Sequence, residues 1–182
     1  KVNLGKTASG HSRLLYFQRM IELLGLKAQL LLALDLEQTF WRSFLANAPL
    51  FSGVKEILYT LQDNNIPIGV VTDLTSHIQL RKLTYFGLED IFDAVVTSEE
   101  VGADKPDPRN FELLLYKLKI KSMDNVWMIG DDPVADIDGS KKLGAITFQK
   151  VDRNINFINT EIKSDVTFNS FKDLLKFVDN IL

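Results

Sequence analysis

The chain of 182 residues contains no cysteine. Disulfides, zinc–thiolate centres and thiol nucleophiles are therefore excluded. Its two histidines, His11 and His77, are too few for a multi-histidine metal site. Long apolar runs are also missing. The longest, residues 30–34, falls far short of the ~20 residues a membrane-spanning helix needs, so no membrane partner is expected. Positive charge is not in excess either, since 21 Lys and Arg stand against 24 Asp and Glu for a net charge of −3. Affinity for nucleic acid comes mostly from neutralising phosphates, so no nucleic-acid partner is expected. Glycine and proline are sparse, at 10 and 5 residues, which excludes collagen-like and low-complexity chains. What is present is 46% hydrophobic and 25% charged residues, the balance of a globular protein long enough for one full core. The expected location is the cytoplasm.

Residues 1–48 read as helical. Leu14, Leu15, Phe17, Met20, Ile21, Leu23 and Leu24 recur at three-to-four spacing up to Gly25, a C-terminal cap. A second helical pattern covers roughly residues 28–46, carrying Leu45 and the aromatics Phe40, Trp41 and Phe44, which are expected in the core, and Ala48-Pro49 closes it. From Pro49 onward, helix and short apolar strand alternate. Helices are expected at 53–63, 75–86, 108–120, 133–143 and 171–182, and strands at 66–72, 92–97, 126–129, 145–149 and 165–168. Residues 154–159, rich in Asn, read as a solvated loop. Strands that are apolar on both faces and separated by helices predict the α/β class: a parallel sheet with helices on both faces. Residues 49–182 form that core, and residues 1–48 a small helical addition.

Chemistry in such sheets collects at the carboxyl ends of the strands. Strand 66–72 ends in Val71-Thr72-Asp73, and a helix opens soon after. A hydroxyl followed by free backbone N–H groups can cradle a phosphate, though a turn and N-cap would use the same residues. After strand 92–97 comes Lys105-Pro106-Asp107-Pro108. The prolines are expected to hold this segment extended and to aim Lys105, whose ammonium could neutralise a phosphate and a nearby carboxylate. Asp107-Pro108 also suits an N-cap and first helical residue. Replacing Lys105 by Ala is expected to change stability little, because a strand-end lysine packs little. Strand 126–129 runs into Gly130-Asp131-Asp132-Pro133-Val134-Ala135-Asp136-Ile137-Asp138-Gly139. So many carboxylates call for a cation, and oxygen-only ligands suit Mg²⁺. Asp132 before Pro133 is more simply a cap, and a weaker metal candidate. Asp138 is expected to be exposed. Asp131 and Asp136 remain as the candidate metal ligands.

A hydroxyl, a lysine and an acidic loop on one sheet edge resemble the haloacid dehalogenase-like hydrolase superfamily, over nearly the whole chain. Thr72 resembles the family's second motif, Lys105 in Lys-Pro-Asp-Pro its third, and Gly130-Asp131-Asp132 with Asp136 its fourth. The phrases Pro49-Leu50-Phe51-Ser52-Gly53-Val54 and Gly139-Ser140-Lys141-Lys142-Leu143-Gly144 fit as well. The resemblance implies a Rossmann-like core, with residues 1–48 as part of a helical cap inserted after the first strand. It also implies a Mg²⁺-dependent phosphatase acting on a small phosphorylated metabolite. Thr72 would bind the transferred phosphoryl beside the backbone N–H of Asp73, Lys105 would balance charge between phosphate and nucleophile, and Asp131 would hold Mg²⁺, directly or through water, with Asp136 completing or orienting that site. Thr72 and Lys105 are thus the catalytic candidates on this chain, and Thr72, Asp73 and Lys105 the phosphate-binding ones.

Two departures stand out. The family's first motif, an Asp-x-Asp on an apolar strand upstream of the cap, is not in the sequence. Asp35 lies in a helix and Asp152 follows the last catalytic loop. In the family's fold that strand runs between those ending at Thr72 and Ile129, so its absence leaves two apolar, unpaired edges. The expectation is that roughly 35–45 residues precede Lys1 and bring the domain to ordinary size. The second departure is the carboxylate of Asp73, where relatives usually carry Asn or Gly. Other readings on the same fold are phosphomutation, 2-haloacid dehalogenation, and a catalytically silent binding or scaffold protein. The acidic pair argues against dehalogenation, which needs no metal. His77 reads as an ordinary helix residue, and so does His11, although it sits where the cap is expected to face the pocket.

Overall fold

The computed structural model describes residues 7–151 and 162–182. The stretch 154–159 and Asp152 lie outside the described residues. A 3₁₀ turn, Ala8–His11, leads into α1 (Arg13–Leu23), where the Ser12 hydroxyl accepts the Leu15 N–H at 3.3 Å. Gly25 follows at φ +74°, the left-handed position expected of a cap. Helix α2 (Leu30–Asn47) folds back on α1. Ile21, Ala33, Trp41 and Leu45 are buried, Phe40 packs against Phe17, Trp41 and Phe44, and Phe44, expected in the core, is itself exposed. The same two helices leave Leu23, Leu24, Leu30 and Leu31 exposed.

Helix α3 (Val54–Asp63) begins after Gly53, whose φ is +95°. A Cβ there would lie 2.9 Å from the backbone nitrogen of Lys172 in α8 (Phe171–Asp179), so only glycine lets the two helices meet. Strand β1 (Gly69–Thr72) pairs in parallel with β2 (Ala94–Thr97), Gly69 opposite Ala94 and Thr72 opposite Thr97. Helix α4 (Ser76–Tyr85) connects them. After β2 come the single turn α5 (Ser98–Val101), which the sequence pattern had not marked, and α6 (Pro108–Leu118). Strands β3 (Trp127–Gly130), β4 (Ile146–Lys150) and β5 (Val166–Phe168) form a second parallel sheet in that order. Three buried groups fill the interior: Ile57 with Phe148, Phe168, Leu174 and Val178; Ile68 with Leu88 and Ile91; and Phe111 with Met123 and Ala145.

The expected α/β class with parallel strands is thus found, but the parallel strands form two sheets rather than one. β1 pairs only with β2 and β3 only with β4 among the described residues. Both bounding strands are half-buried along their whole length, unlike β2 and β4, which carry most of the fully buried strand residues. The first strand is also shorter than its apolar run. The Ile66 N–H closes the end of α3 on Leu61, and Ile68 meets Asp93 through the Asp93 N–H on its carbonyl at 2.8 Å and its own N–H on the Asp93 carboxylate at 2.7 Å, so the regular ladder begins at Gly69. The helix expected at 133–143 opens instead as a wide π turn, Pro133–Asp138, followed by α7 (Gly139–Lys141). The Asp132 carbonyl accepts from both Asp136 and Ile137, at 3.0 and 3.2 Å, which widens the turn by one residue. No described helix is long and apolar enough to cross a membrane.

Candidate active site at the carboxyl ends of the strands

Lys105 bridges the two sheets. Its ammonium donates to the Val71 carbonyl of β1 at 3.2 Å and to Asp136 Oδ1, beyond β3, at 2.5 Å. Both side chains are buried, Lys105 at 10% and Asp136 at 8% exposed. A buried lysine needs such partners, because an unpaired charge there is costly. The segment carrying it is a turn rather than the extended stretch expected, with a cis Lys105–Pro106 bond and the Asp107 N–H bonded to the Asp104 carbonyl at 3.1 Å. Fully buried Asn110 pins the turn by donating to the carbonyls of Ala103 and Asp107, at 3.0 and 3.2 Å. Gly139 makes room for it, since a Cβ there would lie 2.9 Å from Pro106 Cβ.

The acidic loop divides its labour. The Asp132 carboxylate caps the turn by accepting the N–H groups of Val134 and Ala135, at 2.8 and 2.7 Å, the structural use expected of it. The wide turn swings Asp136 back beneath Gly130, where any Cβ would collide with the Asp136 carboxylate. Asp136 Oδ2 then accepts the N–H groups of Asp131 and Asp132, each at 3.1 Å. Both oxygens of Asp136 are therefore engaged by the protein itself. Asp131 is exposed on the rim, and its carboxylate accepts no hydrogen bond from a described residue. Its backbone carbonyl is held by Gln149 Nε2 at 3.2 Å. No group of three or more His, Asp or Glu positioned to hold a metal occurs among the described residues. An Mg²⁺ ion takes one or two carboxylates and keeps several waters. Asp131 as ligand, with Asp136 fixing its loop, fits that demand.

Thr72 ends β1 beside this cluster, its hydroxyl 3.5 Å from Gln79 Oε1. Asp73 follows, and its Oδ1 accepts the Lys105 backbone N–H at 2.7 Å. The unusual carboxylate thus anchors the lysine turn. Burial raises the Asp73 pKa above the ordinary carboxylate value, and the charges of Asp104 and Asp136 push the same way. The Lys105 N–H and ammonium oppose the rise. Lys105, Asp136, Asp73 and the loop of Asp131 are brought together as the spacing predicted. His77 is not part of the group and meets Arg81 at 3.3 Å on the exposed side of α4. Sequence reasoning missed Asn110, Gln149 and Asp104. Asn110 left one signal, a polar residue on the apolar face of α6. His11, read as an ordinary helix residue, lies 3.2 Å from Asp104.

Parallel strands alternating with helices, and a lysine–carboxylate cluster at the strand ends, make up the α/β arrangement whose sites lie at the carboxyl ends of the strands. The sequence profile of the haloacid dehalogenase-like hydrolases matches residues 28–149, and the chain belongs to that family. It is similar to the ribulose-1,5-bisphosphate 5-phosphatase of Halopiger xanaduensis, with 40% identity over 147 residues, 81% of this chain and 61% of that protein. It is also similar to the glyceraldehyde 3-phosphate phosphatase of Methanocaldococcus jannaschii, with 33% identity over 124 residues, 68% of this chain and 54% of that protein. The chain therefore spans little more than half the length of these relatives. Its fold is that of a phosphatase of the same superfamily from Thermococcus onnurineus, at a TM-score of 0.70 and 19% identity, covering 91% of this chain and 87% of the other.

Proposed function

We propose that the protein is a Mg²⁺-dependent phosphatase of small phosphorylated metabolites that works through a phospho-aspartate. The observation that carries this reading is the buried Lys105 ammonium, which spans β1 and the acidic loop at the strand ends. A fixed cation there suits phosphoryl transfer, which depends on in-line positioning and neutralised oxygens more than on strong bases. The names of the relatives, phosphatases of a sugar bisphosphate and of a triose phosphate, support the substrate class.

In this reading the nucleophilic aspartate is carried on a strand outside residues 1–182, lying between β1 and β3. The half-buried outer edges of those two strands are the place it would pair. Lys105 balances charge between a phosphoryl oxygen and the nucleophile. The Thr72 hydroxyl and the backbone N–H of Asp73 take two further oxygens at the end of β1. Asp73 keeps the Lys105 turn in place through its carboxylate. Asp131 would hold Mg²⁺, and Asp136 orients both Lys105 and the Asp131 loop. When bound, the cation would neutralise charge on the phosphoryl group. Residues 1–48 act as the cap that selects the substrate.

Phosphate release from a panel of sugar, triose and nucleoside phosphates, with and without Mg²⁺, tests the function on the protein expressed from its natural gene. Turnover that needs Mg²⁺ and is lost in Asp131→Asn is expected. Undiminished turnover in that variant, or none on any member of the panel, would refute the reading.

A further inference from the structure

Among the described residues, one hydrogen bond crosses between residues 7–48 and residues 49–182, and it runs from His11 Nε2 to Asp104 Oδ2 at 3.2 Å. His11 closes the 3₁₀ turn just before Ser12 caps α1, so its backbone moves with the front helices. Arg13 steadies it from the other side. The Arg13 Nη1 donates to the His11 carbonyl at 3.4 Å, and the guanidinium lies 5.5 Å from the ring centres of Tyr16 and Phe40. Asp104 immediately precedes Lys105. Its side chain is 17% exposed, and its second oxygen, Oδ1, is buried without a partner, so His11 supplies the one side-chain donor that this carboxylate has among the described residues. The acids of α5, the element packed against the 3₁₀ turn, are engaged elsewhere. Glu99 accepts the Ser76 N–H at 2.8 Å, and Glu100 pairs with Lys117 at 2.7 Å.

We infer that His11 is a positioning residue, which ties the front helices to the Lys105 turn through Asp104 so that the two are placed together. The tie acts on a short lever. Asp104 is held by His11 through its side chain and by the Asp107 N–H through its carbonyl, while the next residue is held by Asp73 through the Lys105 N–H. A shift of the front helices is thereby felt at the backbone of Lys105. This inference uses the role proposed for Lys105 above but is tested without turnover.

The absence of cysteine makes the test direct. Gln38→Cys on α2 and Glu112→Cys on α6, both exposed, take spin labels for pulsed electron paramagnetic resonance. In the same protein the Lys105 backbone amide is followed by NMR. The parent is expected to give one narrow distance distribution. His11→Ala should broaden it and displace the Lys105 amide resonance, and His11→Gln, which keeps a donor at similar reach, should restore both. Either readout unmoved in His11→Ala, or a Gln variant that behaves like the Ala variant, would overturn the tie. Because neither readout depends on catalysis, a failure here leaves the phosphatase reading intact, and an inactive enzyme leaves the tie intact.

Discussion

Replacing Lys105 by Met removes a cation while keeping most of the side-chain volume, and the structure sets what this should cost. Lys105 and Asp136 are both about nine-tenths buried and 2.5 Å apart. In the variant Asp136 keeps the two N–H donors on Oδ2 but loses the donor on Oδ1, and the Val71 carbonyl loses its donor too. Removing one member of a buried ion pair costs about 3–5 kcal/mol, because the other charge stays behind. In a domain of this size about 3 kcal/mol lowers the Tm by about 6–12 °C. The expectation from sequence, that a strand-end lysine contributes little to stability, is therefore reversed by its burial. Urea unfolding of the parent, Lys105→Met, Asp136→Asn and the double variant forms the test. The double variant has no lone buried charge and should be more stable than the sum of the two single losses allows. A Lys105→Met protein within about 0.5 kcal/mol of the parent, or strictly additive losses, would refute the argument.

Gly130→Ala places a Cβ against the Asp136 carboxylate and should destabilise by about 1–3 kcal/mol while abolishing phosphate release. Gly69→Ala meets the flexible apolar side chain of Leu114, and the same pair of measurements should show the smaller loss there. Asp73 has a raised pKa caused first by burial. Such an acid subtracts stability as pH rises from its unfolded value through its folded one. Asp73→Asn keeps an acceptor for the Lys105 N–H, so its Tm at pH 7 should equal or exceed the parent's, with the difference vanishing in acid. Asp165 is held well below the usual carboxylate range, first by the Lys141 ammonium and then by the Thr147 hydroxyl and N–H. A lowered acid adds stability above its unfolded value of about 3.9 and loses it as pH falls toward the folded one. Asp165→Asn should flatten the acid limb of stability against pH. The effect should be under about 1 kcal/mol, because the pair is partly exposed.

Helices α1, α2 and α6 were legible because each carries its own punctuation. Gly25 and Ala48-Pro49 ended α1 and α2 where the pattern placed them, and Asp107-Pro108 opened α6. The strands were legible as apolar runs but not in their limits, because the Asp93 carboxylate takes the Ile68 N–H and no local signal announces that. In the site, Lys105 and the acidic loop could be read from spacing. That Asp136 turns inward onto Lys105 while Asp131 stays on the rim could not, because it follows from a π turn that one bifurcated carbonyl, that of Asp132, creates. Asp73, read in the sequence as a carboxylate where relatives usually carry Asn or Gly, became an anchor once its distance to the Lys105 N–H was known. His11 could be placed where the cap was expected to face the pocket, but its partner Asp104 could not be read, because it lies far along the chain.

The most direct test of the account is rapid-quench mass spectrometry of the protein expressed from its natural gene, mixed with Mg²⁺ and p-nitrophenyl phosphate. The account predicts one added phosphoryl group, on an aspartate outside residues 1–182, with its formation lost in Lys105→Met. Phosphate release with no such adduct, or an adduct on an aspartate within residues 1–182, would contradict it.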